Sequence, residues 1–280
     1  MSESCPLCAG GPDMPMFEKT GQRYVRCAEC GFRFSRSAAN PNLEAGIEDF
    51  EPAYRQYLDG TAVDEVNHDA TLAWIEARVP LDPGVLMLDV GAGSGKFLKY
   101  IAARRRCRTT GLEPSSALHG RFDLHRLGIL NQTLPEFAAN YRGMGFDVVT
   151  VLDVIEHVQG PVEFVRSLHA VTKPRGLVFL STPDAGSLLS RALGRRWHHY
   201  NRYHFSLFDR RSMAALARQG GFEELEYGHR SKRFTLGYLR DYMRDFLLAR
   251  ARPTTTLHRQ DFVFSLNTYD IMSIVWRRQP

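Results

Sequence analysis

Three glycines at alternate positions mark the part of the chain best suited to holding a cofactor. Gly91, Gly93 and Gly95 follow a mostly apolar run of strand length, and a helical pattern begins at Lys96. Glycine lets the backbone turn sharply and approach a ligand closely, and a helix start presents free N–H groups. Because Lys96 stands where dinucleotide enzymes have the third glycine of G-x-G-x-x-G, we expect a nucleotide cofactor without a pyrophosphate. A purely structural turn is the alternative.

An acidic residue follows the next strand pattern. Residues 109–112 have the composition of a short strand, and Glu113 comes directly after it, 24 residues beyond Asp89. This is close to the distance at which an acid binds both ribose hydroxyls in nucleotide-binding α/β folds. Glu113 is therefore the predicted ribose ligand, and its charge would repel a 2′-phosphate.

Four cysteines near the N-terminus have the spacing of a metal site. Cys5 and Cys8 form one C-x₂-C pair, Cys27 and Cys30 form another, and 18 residues separate the pairs. Four thiolates at this spacing surround one ion tetrahedrally, which favours zinc. Such a closed site leaves no coordination position for chemistry, so a structural zinc ribbon is predicted over residues 1–37. In a cytoplasmic chain, metal is favoured over two disulfides.

A turn after the fourth strand pattern brings acids and an imidazole together. Asp153, Glu156 and His157 have i, i+3, i+4 spacing, so a helical turn would place them on one side. Three interpretations are open. His157 is a general base, the three residues bind a divalent ion, or the Glu-His pair only braces the turn.

The segment 197–206 is rich in imidazole and phenol groups. His199 and His204 are the alternative bases, and neighbouring arginines could bind an anionic acceptor. These are Arg195, Arg196 and Arg202. We expect this segment to form a wall of the acceptor site, although packing is an open role for each histidine.

Composition indicates an ordinary globular protein with an uneven charge distribution. The 280 residues are 44% hydrophobic and carry a net charge of +5. Residues 191–280 contain 17 Lys and Arg against 8 Asp and Glu, whereas the remainder contains 19 against 23. The basic part is either a solvated surface or a face that prefers anions. No apolar run is long enough to span a membrane and the N-terminus lacks signal-peptide features, so a cytoplasmic location is expected.

Alternating strand and helix patterns predict a parallel sheet covered on both faces. The predicted strands beyond Glu113 are 128–133, 146–153, 177–181, 222–229 and 269–277. A turn, Lys173-Pro174-Arg175-Gly176, is expected to lead into the strand at 177–181. Residues 38–69 are interpreted as a linker with a helical cover that includes Tyr54 and Tyr57, and 235–251 as a further helix. The main domain is predicted over residues 70–280.

These motifs together resemble the class I S-adenosylmethionine-dependent methyltransferases, most closely the branch typified by ubiquinone-biosynthesis O-methyltransferases. The resemblance is carried by LDVGAGSGKF (88–97), GLEPS (111–115), FDVVTVLDVIEHV (146–158), KPRG (173–176) and LSTPD (180–184). It covers roughly residues 70–280. Arg175 departs from the pattern, which usually has a second glycine there. The implied fold is a doubly wound, Rossmann-like α/β sheet of seven strands with the last strand antiparallel.

The resemblance also implies where S-adenosylmethionine would bind. The backbone of Gly91, Ala92, Gly93 and Gly95 would hold the methionine part, with Asp89 orienting the loop and Glu113 on the ribose. Thr133 and Leu134 would lie against adenine, and Leu152 and Asp153 would face the methionine amino group and the methyl group.

The predicted function is therefore methyl transfer to a small-molecule acceptor, most simply to oxygen. Sugars, nucleotide-linked compounds, lipids and secondary metabolites are the candidate acceptors, and the basic C-terminal part suits an anionic one. RNA methylation is one alternative, but Leu152-Asp153-Val154-Ile155 replaces the Asn/Asp-Pro-Pro-Tyr/Phe motif of amino-methylating nucleic-acid enzymes. A non-catalytic, cofactor-binding scaffold is the other.

Overall fold

One seven-stranded sheet organises most of the chain that can be described. The computed structural model describes residues 4–37, 62–236, 240 and 262–280. In chain order the elements are β1 (Asp13–Lys19), β2 (Gln22–Cys27), β3 (Arg33–Ser35), α1 (Ala62–Glu76), β4 (Leu86–Val90), α2 (Lys96–Arg104), β5 (Arg108–Leu112), α3 (Ser116–Arg121), β6 (Ile129–Leu130), α4 (Leu134–Asn140), β7 (Phe146–Leu152), α5 (Pro161–Val171), β8 (Thr172–Pro183), α6 (Leu188–Leu193), β9 (Ser206–Leu207), α7 (Arg210–Gln219), β10 (Phe222–His229), β11 (Lys232–Thr235), β12 (Val263–Leu266) and β13 (Ile271–Arg278). Short 3₁₀ turns cover His125–Leu127, Ile155–His157 and Gly194–Arg196.

The strand order of the large sheet is β10-β13-β8-β7-β4-β5-β6. Strands β4 to β8 pair in parallel, whereas β13 runs antiparallel to both β8 and β10. The predicted α/β sheet with an antiparallel last strand is thus confirmed. Because the parallel strands point the same way, the chain leaves β4, β5, β7 and β8 at one edge. This carboxyl edge is where ligands bind in open α/β sheets.

Buried β-branched residues explain why the centre of the sheet forms. Val148, Val149 and Val151 of β7 are fully buried, on alternating faces of the strand. On one face, α5 buries Phe164 and Leu168 against the sheet. A central strand covered on both sides needs such a continuous apolar run.

A small antiparallel sheet precedes the large one. Strands β1, β2 and β3 pair in sequence, and β9 from much later in the chain adds a fourth strand beside β3. We call residues 4–37 the N-terminal module. Its Cys5, Leu7 and Phe32 belong to the same hydrophobic cluster as the large sheet, so the module packs directly on the main domain.

The third strand of the parallel sheet is shorter than predicted. Residues 128–133 were expected to be extended, but only Ile129 and Leu130 pair with β5. Gly128 adopts a φ of +70° as it ends the preceding 3₁₀ turn. Thr133 forms a capping box with Glu136 at the start of α4, so helix formation ends the extended segment early.

The expected turn at residues 173–176 lies inside strand β8. The strand runs without interruption from Thr172 to Pro183, and Arg175 adopts a left-handed φ of +64° within it. The pairing with β7 changes register between Phe146 and Val148 at this point. A Cβ on Gly176 would lie 2.9 Å from the carbonyl oxygens of Lys173 and Phe146, which explains the glycine there. The predicted turn is therefore a bulge.

Two sequence predictions lie outside the described residues. Tyr54 and Tyr57 belong to the first, and the second is the helix over 235–251, of which only Thr235 in β11, Leu236 and Arg240 are described. The domain limits at 37 and 69 stay predictions. Among the described residues, no helix combines the length and the apolarity needed to cross a membrane.

Candidate active site at the carboxyl edge of the sheet

The loop after β4 has no room for a side chain at two of its glycines, Gly91 and Gly95. Gly91 adopts a φ of +75°, and a Cβ there would lie 2.4 Å from Cγ2 of Val154. Gly95, also left-handed, caps α2, and its Cβ would lie 2.7 Å from a methyl group of Ile129. The amides of Gly91 and Ala92 both donate to the Leu112 carbonyl, at 2.8 and 2.9 Å. The loop is thereby fixed against the end of β5.

Glu113 braces this loop from the neighbouring strand. One carboxylate oxygen accepts from the amide of Gly93 at 2.8 Å, and the other accepts from the amide of Ser115 at 3.0 Å. Burial raises the pKa of Glu113, and the two amide hydrogen bonds oppose that rise. Each carboxylate oxygen can accept a further hydrogen bond, so the group suits a pair of ribose hydroxyls. Its contact with Gly93 escaped sequence reasoning.

Asp89 lies inside the sheet rather than at its surface. Its carboxylate accepts a 2.6 Å hydrogen bond from the hydroxyl of Thr150 on β7. Burial raises the pKa of Asp89 to about 7 against that hydrogen bond, and repulsion from Glu113 adds to the rise. Asp89 therefore links β4 to β7 directly beneath the glycine loop.

Thr133 and Leu134 begin α4, beyond the end of β6. The Thr133 hydroxyl donates to the carboxylate of Glu136 at 2.7 Å, and the Leu134 side chain is buried. The structure thus gives both residues a structural role in starting the helix. Their contact with adenine stays a prediction.

The end of β7 leaves the side chain of Asp153 exposed to solvent. Its φ is +57°, and its carboxylate accepts from the hydroxyl of Ser181 at 2.8 Å and pairs with Nζ of Lys232 at 2.9 Å. Although its surroundings disfavour charge, Lys232 and the Ser181 hydroxyl hold the pKa of Asp153 below its usual value. Leu152, the last residue of β7, is partly buried beside it. Lys232 lies 79 residues away in sequence, which is why the sequence did not reveal it.

Glu156 is buried in the 3₁₀ turn that follows. Its carboxyl accepts from the hydroxyl of Thr182 on β8 at 2.8 Å. Burial, followed by repulsion from Asp153, raises the pKa of Glu156 to about 8. Its backbone carbonyl accepts from the amide of Phe205 at 2.8 Å. The turn is thus tied to the segment that carries the histidines.

The two histidines His157 and His204 are held in the same way. Nδ1 of His157 lies 2.9 Å from the Tyr203 carbonyl, and Nδ1 of His204 lies 2.9 Å from the His199 carbonyl. A carbonyl only accepts, so each Nδ1 donates, and the lone pair of the neutral ring is at Nε2. His204 is buried, whereas His157 reaches the surface; desolvation by the surrounding protein nevertheless lowers the pKa of both, so both are neutral at pH 7.

The structure groups these residues differently from the predicted trio. Glu156, His157 and His204 each offer a metal-ligating atom within 4.8 Å of the others. Asp153 instead contacts Ser181 and Lys232. Sequence spacing predicted Asp153 as the third residue of the trio, because spacing describes only neighbouring residues. It could not show that His204 lies beside Glu156 and His157.

His199 lies behind His204. Their rings stack at 5.6 Å, and Nε2 of His199 is 3.8 Å from a carboxylate oxygen of Asp270. That oxygen accepts from the indole of Trp197 at 3.0 Å. Burial, followed by neighbouring His198, lowers the pKa of His199 well below its usual value. We call residues 197–205 the acceptor loop.

A second cluster at this edge was missed by sequence reasoning. One carboxylate oxygen of Asp184, just after β8, accepts from the Tyr227 hydroxyl at 2.8 Å and lies 2.9 Å from Nε2 of His229. In the sequence, only the Thr182-Pro183-Asp184 motif pointed to this cluster. Arg195, Arg196 and Arg202, predicted to bind an anion, are exposed.

The four cysteines of the N-terminal module surround a common point. Sγ of Cys5 lies 3.7 Å from that of Cys30, and Sγ of Cys8 lies 3.7 Å from that of Cys27. A disulfide would require about 2.05 Å. Zinc–sulfur bonds of about 2.3 Å give a tetrahedron edge near 3.8 Å, so the thiols fit one zinc ion.

Comparisons with known proteins agree with the sheet order and the loop, which together define the class I S-adenosylmethionine-dependent methyltransferase fold. A family model described as a methyltransferase domain matches residues 67–227. The chain belongs to this methyltransferase-domain family.

Curated relatives share about a third of the aligned residues. The ubiquinone biosynthesis O-methyltransferase of Pseudomonas paraeruginosa is 35% identical over 146 residues, covering 49% of this chain and 62% of that protein. The enzyme of the same name from Pseudomonas entomophila is 34% identical over the same length. The chain thus spans 62% of the length of these relatives.

Solved structures share the fold at low identity. A S-adenosylmethionine-dependent methyltransferase from Archaeoglobus fulgidus has a TM-score of 0.54 at 12% identity, covering 82% of this chain and 100% of that one. The YcgJ protein from Bacillus subtilis has a TM-score of 0.53 at 15% identity, covering 76% and 100%.

Proposed function

We propose that the chain transfers the methyl group of S-adenosylmethionine to a hydroxyl group of a small-molecule acceptor. The observation that carries the proposal is the pair of neutral imidazoles, His157 and His204, whose basic Nε2 atoms lie at the carboxyl edge. The names of the curated relatives support oxygen as the acceptor atom.

The glycine loop supports S-adenosylmethionine as the methyl donor. Gly91 and Gly95 pack too closely against neighbouring side chains to carry a Cβ, so the loop keeps one fixed backbone conformation at the carboxyl edge. When bound, the cofactor supplies a methyl group on a positively charged sulfur. We assign the methionine part to the backbone of Gly91, Ala92, Gly93 and Gly95, the ribose to Glu113, the amino group to Leu152 and Asp153, and adenine to Thr133 and Leu134, with Asp89 supporting the loop.

In this proposal an imidazole removes the proton of the acceptor hydroxyl. A general base must be unprotonated at working pH and lie within hydrogen-bond reach of the proton. His157 and His204 meet the first condition because their pKa values lie below the usual histidine value. His199, stacked behind His204, is the third candidate.

The trio of Glu156, His157 and His204 also fits a divalent ion. Two imidazole nitrogens and one carboxylate form a frequent donor set for transition metals. Carbonyl groups that fix the other ring nitrogen, as here at Tyr203 and His199, are usual around metal-bound histidines. Such an ion would supply Lewis acidity toward a hydroxyl group. Loss of activity on chelation, with recovery when the metal is added back, would favour this role over a simple base.

For the N-terminal module we propose a structural zinc ion bound by Cys5, Cys8, Cys27 and Cys30. The two 3.7 Å sulfur separations support a tetrahedral site. Four thiolates saturate zinc, so this ion takes no part in chemistry.

Methylation of RNA is the competing function. Exposed Arg195, Arg196 and Arg202 lie in or next to the acceptor loop, where they suit a phosphate-bearing acceptor. These arginines support a small anionic acceptor equally well, so the acceptor's size separates the two functions.

Two experiments test the proposal. Calorimetry with S-adenosylhomocysteine, on the wild type and Glu113→Ala, tests cofactor binding; no binding by the wild type would refute methyl transfer from S-adenosylmethionine. Incubation with methyl-labelled S-adenosylmethionine and fractionated metabolites or RNA then identifies the acceptor. Label on a small product whose methyl group has the NMR chemical shift of a methyl on oxygen supports O-methylation, whereas label on RNA supports the competitor.

A further inference from the structure

We propose that the N-terminal module is a structural part of the acceptor site, because its strands hold the acceptor loop and thereby orient His157 and His204. The inference rests on the proposed function of that site. It assigns positioning roles to Lys19, Gln22 and Tyr24, none of which lies in the methyltransferase sheet.

Strand pairing provides the first connection. Phe34 of β3 pairs with Ser206 of β9, and the amide of Ser35 donates to the Phe205 carbonyl at 2.8 Å. The acceptor loop ends at residue 205, directly before β9. One end of the loop is therefore fixed by the edge of the module's sheet.

Side chains of the module supply hydrogen-bond donors to the loop backbone. The acceptor loop has no helix or strand along residues 197–205, and only short turn hydrogen bonds, such as Tyr200 amide to Trp197 carbonyl, hold it internally. Four of its carbonyl groups accept from the module: Nζ of Lys19 to Trp197 at 2.8 Å, Nε2 of Gln22 to Arg202 at 2.7 Å, and the Tyr24 hydroxyl to Asn201 at 2.5 Å and His204 at 3.3 Å.

Aromatic packing strengthens the same connection. The ring of Tyr24 is fully buried and meets Tyr200 of the loop edge to face at 4.9 Å. Phe17 of β1 meets Tyr200 at 4.8 Å. Trp197 and Tyr200 are thus buried in a cluster that the module completes.

The carbonyls that orient the imidazoles lie on this loop. The Tyr203 carbonyl fixes His157, and the His199 carbonyl fixes His204. Tyr203 lies between Arg202 and His204, whose carbonyls Gln22 and Tyr24 hold. His199 lies two residues from Trp197 and two from Asn201, whose carbonyls Lys19 and Tyr24 hold. Movement of the loop backbone would therefore change which ring nitrogen carries the proton.

The cysteine site connects to these contacts through β2. Gln22 and Tyr24 lie on β2, which ends at Cys27. The amide of Cys27 donates to the Phe32 carbonyl at 2.8 Å, and the Gly31 amide donates to the Cys27 carbonyl at 3.0 Å, closing the turn into β3. A metal ion at Cys27 and Cys30 would fix this turn, and small modules of this kind obtain much of their folding free energy from the metal.

Tyr24→Phe tests the inference without touching the cysteines. It removes the hydroxyl but keeps the ring, so two loop carbonyls lose a donor. We expect amide hydrogen exchange in peptides covering 198–205 to accelerate about tenfold, the cost of a lost buried hydrogen bond. We also expect the ¹⁵N NMR signals of His157 and His204 to shift from the pure Nδ1–H form toward a mixture. Affinity for S-adenosylhomocysteine should stay within about twofold, since the glycine loop is untouched.

Tyr141→Phe is the matched control. The Tyr141 hydroxyl accepts from the Gly145 amide, far from the acceptor loop in sequence and in contacts. It should change neither the loop exchange nor the histidine signals. Loop exchange and histidine signals that are equal in wild type and Tyr24→Phe would overturn the inference.

Metal removal provides a second arm. Chelation should accelerate amide hydrogen exchange in the same 198–205 peptides, and zinc addition should reverse the change. S-adenosylhomocysteine should still bind throughout. Loosening of the N-terminal module alone would overturn the role of the metal site. If the wild type bound no S-adenosylhomocysteine at all, the proposed function would fail, yet the exchange data would still show whether the module holds the loop.

Discussion

His157 and His204 meet edge to face, with 4.8 Å between their ring centroids. The two rings come from distant parts of the chain: Tyr203, whose carbonyl binds His157, lies 46 residues after it. Each ring is fixed at Nδ1 by a backbone carbonyl, and each is neutral at pH 7. Two neighbouring imidazoles would repel one another if both were charged. Their shared neutrality is therefore what allows them to lie so close.

Acidification is expected to switch off methyl transfer only below the usual histidine pKa. The pKa values of His157 and His204 are lowered, so the basic forms persist below pH 6.5 and are lost as pH falls further. Initial rates between pH 5 and 8, with the acceptor found by labelling, measure this. Alanine at whichever histidine is the base should reduce kcat about 100-fold or more. His125→Ala, at an exposed histidine outside the acceptor loop, is the control; unchanged rates in both His157→Ala and His204→Ala would refute the base role of these two residues.

Glu113→Ala is expected to weaken S-adenosylhomocysteine binding about tenfold or more. The change removes the predicted ribose ligand and leaves the amides of Gly93 and Ser115 without their acceptor. Calorimetry gives the affinity, and thermal unfolding shows whether the fold survives. Glu113→Gln, which keeps one acceptor oxygen, should fall between the two. Equal affinity in all three proteins would exclude Glu113 from the cofactor site.

Asp89→Asn is expected to remove part of the pH dependence of stability. The pKa of Asp89 is about 7 in the fold and about 4 in the unfolded chain, so the folded state binds the extra proton between these values. The free energy of unfolding therefore falls as pH rises from about 4 to about 7. In urea unfolding, the free energy of unfolding of Asp89→Asn should therefore depend less on pH than that of the wild type. The difference over this pH range should be about a few kcal/mol. Asp123→Asn, at an exposed position, is the control, and an unchanged slope in Asp89→Asn would contradict the assignment.

The chain is expected to bind one zinc ion, and Cys27→Ser should abolish this binding. Loss of one thiolate opens the tetrahedral site and removes much of its affinity. Metal analysis of the purified protein measures the stoichiometry. Cys107→Ser, at a buried cysteine outside the cluster, should keep the metal. A second ion lost in Glu156→Gln but not in Cys27→Ser would identify the imidazole trio as an additional metal site.

Lys232→Gln is expected to strengthen cofactor binding a few-fold. If Asp153 binds the methionine amino group, that cation competes with Nζ of Lys232, which lies 2.9 Å from the carboxylate. The pair is well exposed, at 41% and 46% of the two side chains, so stability should change by less than about 1 kcal/mol. Calorimetry and urea unfolding separate the two effects. Weaker binding in Lys232→Gln would argue that Asp153 faces something other than the amino group.

The features that could be predicted from the sequence are those determined by residues close together in the chain. Strand composition, the glycine spacing and the two C-x₂-C pairs are local patterns, and the sheet and the cysteine cluster follow from them. Where local signals competed, the boundaries moved: Thr133 caps a helix instead of extending a strand.

Contacts between distant segments could not be predicted in the same way. Lys232 meets Asp153, and His229 meets Asp184, across 79 and 45 residues. Strand β9 has two residues, too few for any periodicity, yet it fixes the module to the main domain. These pairings depend on how the chain returns to the same edge of the sheet, which no window of sequence records.

The pairing of β3 with β9 also has a consequence for synthesis of the chain. Strand β3 ends at Ser35 and its partner begins at Ser206, so the ribosome adds about 170 residues before the edge is covered. Until then the nascent module presents an unpaired strand edge, the kind of surface that recruits other chains. Binding of the proposed zinc ion by the four cysteines would fix the turn beside this edge before the partner strand is made.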